Sequence, residues 1–173
     1  MTSAEAASQV HLLILDVDGV LTDGGLHFDN RGEEYKTFNS LDGHGIRMAL
    51  ESGIEVAVIT GRESAIVRHR MSDLGVTRLY QGCRDKLDAF DDLLQQTGFD
   101  SAQCAYVGDD LPDLPILRRV GLAIAVQNAH AFVKQHCGWV TTRAGGQGAV
   151  REVTDLILQS QGLLDGLQNR HLE

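Results

Sequence analysis

Six short apolar runs, rich in Val, Ile, Leu and Ala, recur along the chain at 11–15, 55–60, 77–81, 105–108, 122–126 and 139–141. Runs this short and this continuously apolar describe strands buried on both faces, as in parallel sheets, whereas a half-solvated strand alternates apolar with polar residues. Between them the pattern lengthens to a helical period, at 45–52, 64–74, 86–97, 111–120, 128–136 and 149–159. Gly53, Gly75, Gly98 and Gly121 follow four of these segments, where a residue that tolerates left-handed backbone commonly ends a helix. Strand and helix in alternation predict an α/β fold: a Rossmann-like, doubly wound, mostly parallel sheet with helices on both faces.

One stretch breaks the rhythm. "GLHFDNRGEEYKTF", residues 25–38, alternates apolar and polar residues on both sides of Asn30-Arg31-Gly32, which predicts a β-hairpin, about 24–38, projecting from the sheet. Its aromatic residues Phe28, Tyr35 and Phe38 either pack on the parent domain or form a subunit interface. No linker, repeat or charge block interrupts the 173 residues, so a single domain over 1–173 is expected, with a C-terminal tail from about 143.

The formal net charge of -9 sets the chain against nucleic acid, whose binding depends on neutralising phosphates. A small anionic substrate stays open, because a metal ion and a few local cations can reverse the sign inside one cleft. Cys83, Cys104 and Cys137 form no close pair, which fits a reducing compartment and neither a disulfide framework nor a zinc site. The beginning, MTSAEAASQV, has no basic n-region and no apolar core, and no run approaches the roughly 20 apolar residues that span a bilayer. A cytoplasmic protein with no membrane partner is expected.

Open α/β sheets bind ligands outside the carboxyl ends of their strands. Here those ends read Asp16-Val17-Asp18, Thr60-Gly61-Arg62, Gln81-Gly82-Cys83 and Gly108-Asp109-Asp110. In extended backbone Asp16 and Asp18 point to one face, where two carboxylates repel unless a cation holds them or one keeps a proton. Asp109, Asp110 and Asp113 supply further oxygen ligands, and an all-oxygen set favours Mg²⁺. Thr60 offers a hydroxyl and Lys86 a point cation, which with a metal and a carboxylate nucleophile are the parts phosphoryl transfer needs.

Asp-x-Asp-Gly-Val-Leu-Thr-Asp-Gly, then Thr60, then Lys86, then Gly-Asp-Asp-x-x-Asp resembles the four ordered motifs of the haloacid dehalogenase superfamily, over residues 13–113. The resemblance implies Asp16 as the nucleophile that forms an aspartyl-phosphate, and Asp18 as the acid for the leaving group and then the base for water. It also implies Mg²⁺ held by Asp16, the Asp18 carbonyl and Asp109, with Asp113 in support, and the phosphoryl group held by Thr60 and Lys86. Only 41 residues separate Asp18 from Thr60, and 25 separate Thr60 from Lys86, which leaves no room for an inserted cap domain.

"DVDGVLTDGGL", "SLDGHGIR", "VITGRES", "LYQGCRDKL", "YVGDDLPDLP" and "AGGQGAVREV" resemble a narrower group, the capless phosphatases of 3-deoxy-D-manno-octulosonate 8-phosphate (KDO 8-P) that serve lipopolysaccharide precursor synthesis. Their pattern implies a homotetramer with hairpins meeting at its centre, and a glycine-rich tail, here 144–148 with Gly145 and Gly146, closing a neighbour's site over the sugar acid phosphate. It also implies that Arg62 and Arg70 contact the substrate's carboxylate or phosphate, within their own chain or across a subunit boundary. Related phosphatases of nine-carbon sialic-type acids share this core, and an arginine rather than an acid at position 62 leans toward the eight-carbon substrate.

Each residue taken singly has a plainer reading. Thr60 and Glu63 fit a helix capping box, Lys86 a solvated helix residue, and Asp110 or Asp113 a helix N-terminus. His44 and the other histidines read as structural or surface groups, and Cys83 has no adjoining base. Two other functions use similar parts: a phospho-accepting signalling domain, whose acceptor lacks a partner like Asp18, and an inactive tetrameric scaffold, which has no use for an intact residue set.

Overall fold

The computed structural model describes residues 2–172. A six-stranded sheet contains β1 (Leu12–Leu15), β4 (Glu55–Ile59), β5 (Arg78–Tyr80), β6 (Cys104–Gly108), β7 (Leu122–Ala125) and β8 (Trp139–Val140), in the spatial order β5-β4-β1-β6-β7-β8. Every pairing in it is parallel. The chain steps outward from β1 on one side and then returns to continue on the other, the doubly wound order whose reversal point lies between β1 and β6. Leu12, Leu13, Ile14 and Leu15 are fully buried, as are Ala105, Tyr106 and Val107 beside them, so both centre strands are covered on both faces.

Helical crossovers link the parallel strands. Helices α2 (Ser40–Glu51) and α3 (Ala65–Leu74) connect β1, β4 and β5 in turn, α4 (Lys86–Thr97) carries the chain back to β6, and α5 (Leu114–Leu117) and α6 (Ala131–Lys134) lead on to β7 and β8. α7 (Ala149–Ser160) packs against α2 and α1 (Ser3–Ala7), while α8 (Leu164–Asn169) folds back on α7. Gly75 and Gly98 end α3 and α4 in left-handed backbone, as their positions predict. No helix among the described residues is long and apolar enough to cross a membrane.

Several expected boundaries move. α2 begins at Ser40, five residues before the expected start, because the Asn39 side chain accepts the Leu41 N–H and caps it. The segment expected as one helix over 111–120 is a 3₁₀ turn (Leu111–Asp113) leading into the short α5, and that over 128–136 shortens to α6 behind a His130 cap. The expected tail from about 143 is not a tail. Val150, Val153, Ile157 and Leu158 of α7 lie in the core, so cutting the chain at Arg143 would expose core rather than release a flap.

The hairpin forms as β2 (His27–Phe28) and β3 (Glu34–Tyr35), antiparallel, with His27 opposite Tyr35 and Phe28 opposite Glu34. The Asp29 carboxylate accepts the Arg31 and Glu33 N–H groups, and Gly32 closes the turn at φ 80°. The two readings of its aromatic residues divide: Phe38 packs on the core, while Phe28 and Tyr35 stand exposed with Leu26.

Candidate active site

Asp16 stands one residue beyond β1, where its N–H donates to the Val107 carbonyl of β6 (3.1 Å). It therefore lies at the carboxyl end of the two strands that flank the reversal point. Thr60 follows β4, Lys86 opens α4 behind an Asp85 cap, and Asp109 follows β6. Around them is a cleft of about 420 Å³ lined also by Asp18, Gly61, Arg62, Cys83, Arg84, Asp110, Pro112 and Asp113. A second hollow, about 560 Å³ between β8 and α7, is lined by Arg143, Arg151, Glu152 and Asp155 and holds none of these strand-end residues.

A buried ion cluster organises the floor. The Lys86 ammonium lies 2.9 Å from Asp16 Oδ1 and 2.7 Å from Asp113 Oδ1, and only 6% of Lys86 is exposed. The Tyr106 hydroxyl donates to the same Asp113 oxygen (2.7 Å), while Asp113 Oδ2 accepts the Asp109 and Asp110 N–H groups (2.9 and 3.2 Å). Asp113 is thus fully engaged in holding Lys86 and the turn after β6. A lysine kept this dry is tolerable because it is paired.

Burial pushes Asp16 up to about 6, reinforced by the Asp113 charge and opposed by Lys86. Burial likewise pushes Asp109 up to about 7, with Asp16, Asp113 and Asp110 adding repulsion. Burial alone would lower Lys86, but Asp16 and Asp113 outweigh it and its net shift is upward. Carboxylate oxygens of Asp16, Asp109 and Asp113 lie within 4.8 Å of one another, a hard-donor set that suits a divalent cation. With Asp113 occupied by Lys86, Tyr106 and two backbone groups, Asp16 and Asp109 are the carboxylates left to face a metal.

Those shifts have a consequence for stability. Metal-free, both groups hold protons more readily folded than unfolded, so their contribution favours the fold at low pH and is lost as the pH rises through about 6 and about 7. A bound cation replaces the protons and removes that loss. The rise in melting temperature on adding Mg²⁺ is therefore expected to grow from about pH 5 to about pH 8 in scanning fluorimetry. A rise independent of pH would show that the metal sits elsewhere.

Glycines make the close approach possible. Gly19 has φ 94°, and a Cβ there would run into the Asp109 carboxylate. Gly145 and Gly146, expected to close a neighbour's site, brace the loop after β1 in their own chain. The Gly146 N–H donates to the Val20 carbonyl (3.0 Å), the Gly145 N–H to Asn128 Oδ1 (2.9 Å), and a Cβ at either would meet the backbone of Gly19, Thr22 or Asp23. Neither lines the cleft. Asp42 ties down the other end of this segment: its buried carboxylate accepts the Arg151 N–H at the start of α7 (2.8 Å).

Asp16, Asp18, Thr60, Arg62, Lys86, Asp109 and Asp113 all meet in the cleft; Arg70 does not. Arg70 sits on α3, with its guanidinium 6.0 Å from the Phe38 ring centroid in a separate apolar hollow. The plainer readings also resolve. Ser64, not Thr60, is the N-cap of α3, and Lys86 is buried. Asp110 does cap its turn, accepting the Leu111 N–H (2.8 Å). His44 is exposed beside His171 on the far side of α2's buried face, and burial raises the Cys83 thiol, which disfavours it as a nucleophile.

Three participants escape sequence reasoning. Tyr106 is hidden in an apolar run, and its partner Asp113 is identified only by folding. Glu34 and Lys36 come from the hairpin: Lys36 pairs with Asp18 and Glu34, and Arg62 lies 2.8 Å from Glu34 Oε1 and 3.6 Å from Asp18 Oδ2. Their spacing at i and i+2 in a strand, which places both on one face, is the signal the sequence offers for them.

A doubly wound parallel sheet with a buried aspartate, lysine and acidic turn at its reversal point defines a phosphatase of the haloacid dehalogenase-like hydrolases, and the chain belongs to that family. The family profile matches residues 77–153. The chain is similar to 3-deoxy-D-manno-octulosonate 8-phosphate phosphatase of Escherichia coli (strain K12), with 54% identity over 159 residues, 92% of this chain and 85% of the relative. A probable YrbI family phosphatase from Pseudomonas syringae superposes with a TM-score of 0.98 at 48% identity, covering 99% of this chain and 97% of that one. The Moraxella catarrhalis 3-deoxy-D-manno-octulosonate 8-phosphate phosphatase, solved with magnesium, phosphate and KDO, superposes with a TM-score of 0.95 at 40% identity, covering 98% and 97%.

Proposed function

We propose that the chain is a Mg²⁺-dependent phosphomonoesterase that hydrolyses KDO 8-P to KDO and phosphate within one domain, as a step toward lipopolysaccharide precursors. The observation that carries this reading is the convergence of Asp16 and Lys86 at the reversal point, within a chain so similar to phosphatases named for that substrate. Asp16 attacks phosphorus and the bond to the sugar oxygen breaks, giving an aspartyl-phosphate. Asp18 gives its proton to the departing alkoxide, then takes one from the water that attacks the aspartyl-phosphate. Thr60 and Lys86 hold the transferred oxygens, and Lys86 also keeps Asp16 aimed.

Mg²⁺, bound by Asp16, the Asp18 carbonyl and Asp109, supplies charge that offsets the crowding of carboxylates and phosphate. Arg62 faces the cleft mouth as the group suited to the sugar acid's carboxylate. Exposed Leu26, Phe28 and Tyr35 support assembly through the hairpins as a homotetramer, in which Arg70 of one chain reaches a neighbour.

Phosphate release from eight-carbon and nine-carbon keto-acid phosphates, measured side by side, tests the substrate. The eight-carbon compound is expected to have at least about tenfold higher kcat/KM, because one carbon more or fewer in a fitted pocket is worth about 1–3 kcal/mol. Preference for the nine-carbon compound would reverse the reading of Arg62.

A further inference from the structure

Neither the nucleophile nor the metal ligands account for the inner face of the hairpin. Lys36 has 2% of its side chain exposed, although it belongs to a projecting hairpin whose opposite face is open to water. Fixing a lysine there costs rotamer freedom in addition to desolvation. Its ammonium is shared between Asp18 Oδ1 and Glu34 Oε1, and Glu34 also binds Arg62, which returns to Asp18. Two acids and two bases thus close a ring of zero net charge around one carboxylate.

We infer that the hairpin is a positioning element of the reaction, in which Lys36, braced by Glu34, sets the direction of the Asp18 side chain. The inference rests on the reading of Asp18 as acid and base. Among the described residues no N–H group of the main chain donates to the Asp18 carboxylate; its polar partners are Lys36 and Arg62. Of these, Arg62 is much the more exposed and sits farther away, at 3.6 Å. Lys36 is therefore the firmer constraint. Strand geometry orients the pair, since Glu34 and Lys36 share one face of β3 and its continuation. Phe28, opposite Glu34 in the hairpin register, lies 5.8 Å from the Arg62 guanidinium and steadies the fourth member.

Lys36 does not line the cleft where substrate would sit, and its ammonium is committed to Asp18 and Glu34. Its effect passes through Asp18, which makes the proposal testable by a double-mutant cycle. In the full-length, Mg²⁺-saturated enzyme, Lys36→Met is expected to lower kcat on KDO 8-P by about tenfold or more with KM within about twofold, and Lys36→Arg to recover part of the loss. In an Asp18→Asn background, followed by single-turnover phosphate release, Lys36→Met is expected to add no further loss.

Glu34→Gln keeps the lysine and weakens its brace, so it repeats the test should Lys36→Met melt at a lower temperature. An equal loss from Lys36→Met in both backgrounds, or a rise in KM at unchanged kcat, would overturn the proposal by showing a role in folding or in substrate contact. Full turnover by Asp18→Asn alone would instead remove the assignment of Asp18 on which it stands.

Discussion

Asp16→Asn is expected to abolish turnover, by on the order of 10⁴-fold or more, while leaving the fold as stable as before. The substitution is nearly isosteric and keeps the Lys86–Asp113 pair (2.7 Å), so the buried cation retains a partner. It also removes a charge that burial and Asp113 already disfavour, so melting temperature at neutral pH should hold or rise in the metal-free protein. An amide cannot form the acyl phosphate, and mass spectrometry of acid-quenched enzyme should find the phosphoryl adduct in the parent chain only. Activity within about tenfold of the parent would exclude Asp16 as nucleophile.

Lys86→Met is expected to fail on both counts. Removing the ammonium leaves Asp113, 1% exposed, and Asp16, 7% exposed, without their cation. Loss of one partner from a buried pair typically costs about 3–5 kcal/mol. In a chain of this length that corresponds to a fall in melting temperature of about 10 °C. The sign with pH follows from Asp16, which burial already raises: without its cation it holds a proton to higher pH when folded, so the deficit should be smaller near pH 5 than near pH 8. Mg²⁺ should restore part of the stability, because it offsets the charge at Asp16. On the proposed mechanism it should not restore turnover, which there also needs Lys86 to hold the transferred phosphoryl group. A thermal shift below about 2 °C at pH 8 would mean that the ion cluster is far better hydrated than its geometry indicates.

Asp16 and Lys86 are both legible in the sequence, and the reason is local. A parallel strand announces itself by a continuous apolar run, and the doubly wound order places each run's last polar residue at the same edge of the sheet. Asp16 and Asp109 each follow such a run directly, Thr60 closes one, and Lys86 opens the helix after another. Their meeting follows from the order of elements alone.

Other features are misleading or invisible in the sequence because they depend on which segments touch. The glycines at 145 and 146 read as a closure over a neighbour's site; their bracing of their own chain, where only a residue without a side chain fits against the backbone of Gly19 and Thr22, is visible in the fold alone. Arg70 carries the same charge as Arg62, yet α3 directs it toward Phe38 and away from the cleft of its own chain, a difference the sequence does not display. Tyr106 reads as one more apolar strand residue, and only the fold brings Asp113 within 2.7 Å of its hydroxyl.

The sequence by itself determined the α/β alternation, the absence of room for a cap and the set of strand-end groups able to carry phosphoryl chemistry, because hydrophobic period and chain order act over a few residues at a time. The tertiary structure decided how those groups are charged and aimed. Asp16 beside Lys86, Asp113 locked by Tyr106 and Asp18 held by a hairpin lysine 18 positions away are pairings that local sequence does not specify. Their energies arise from burial and distance, which exist only once the chain has closed on itself.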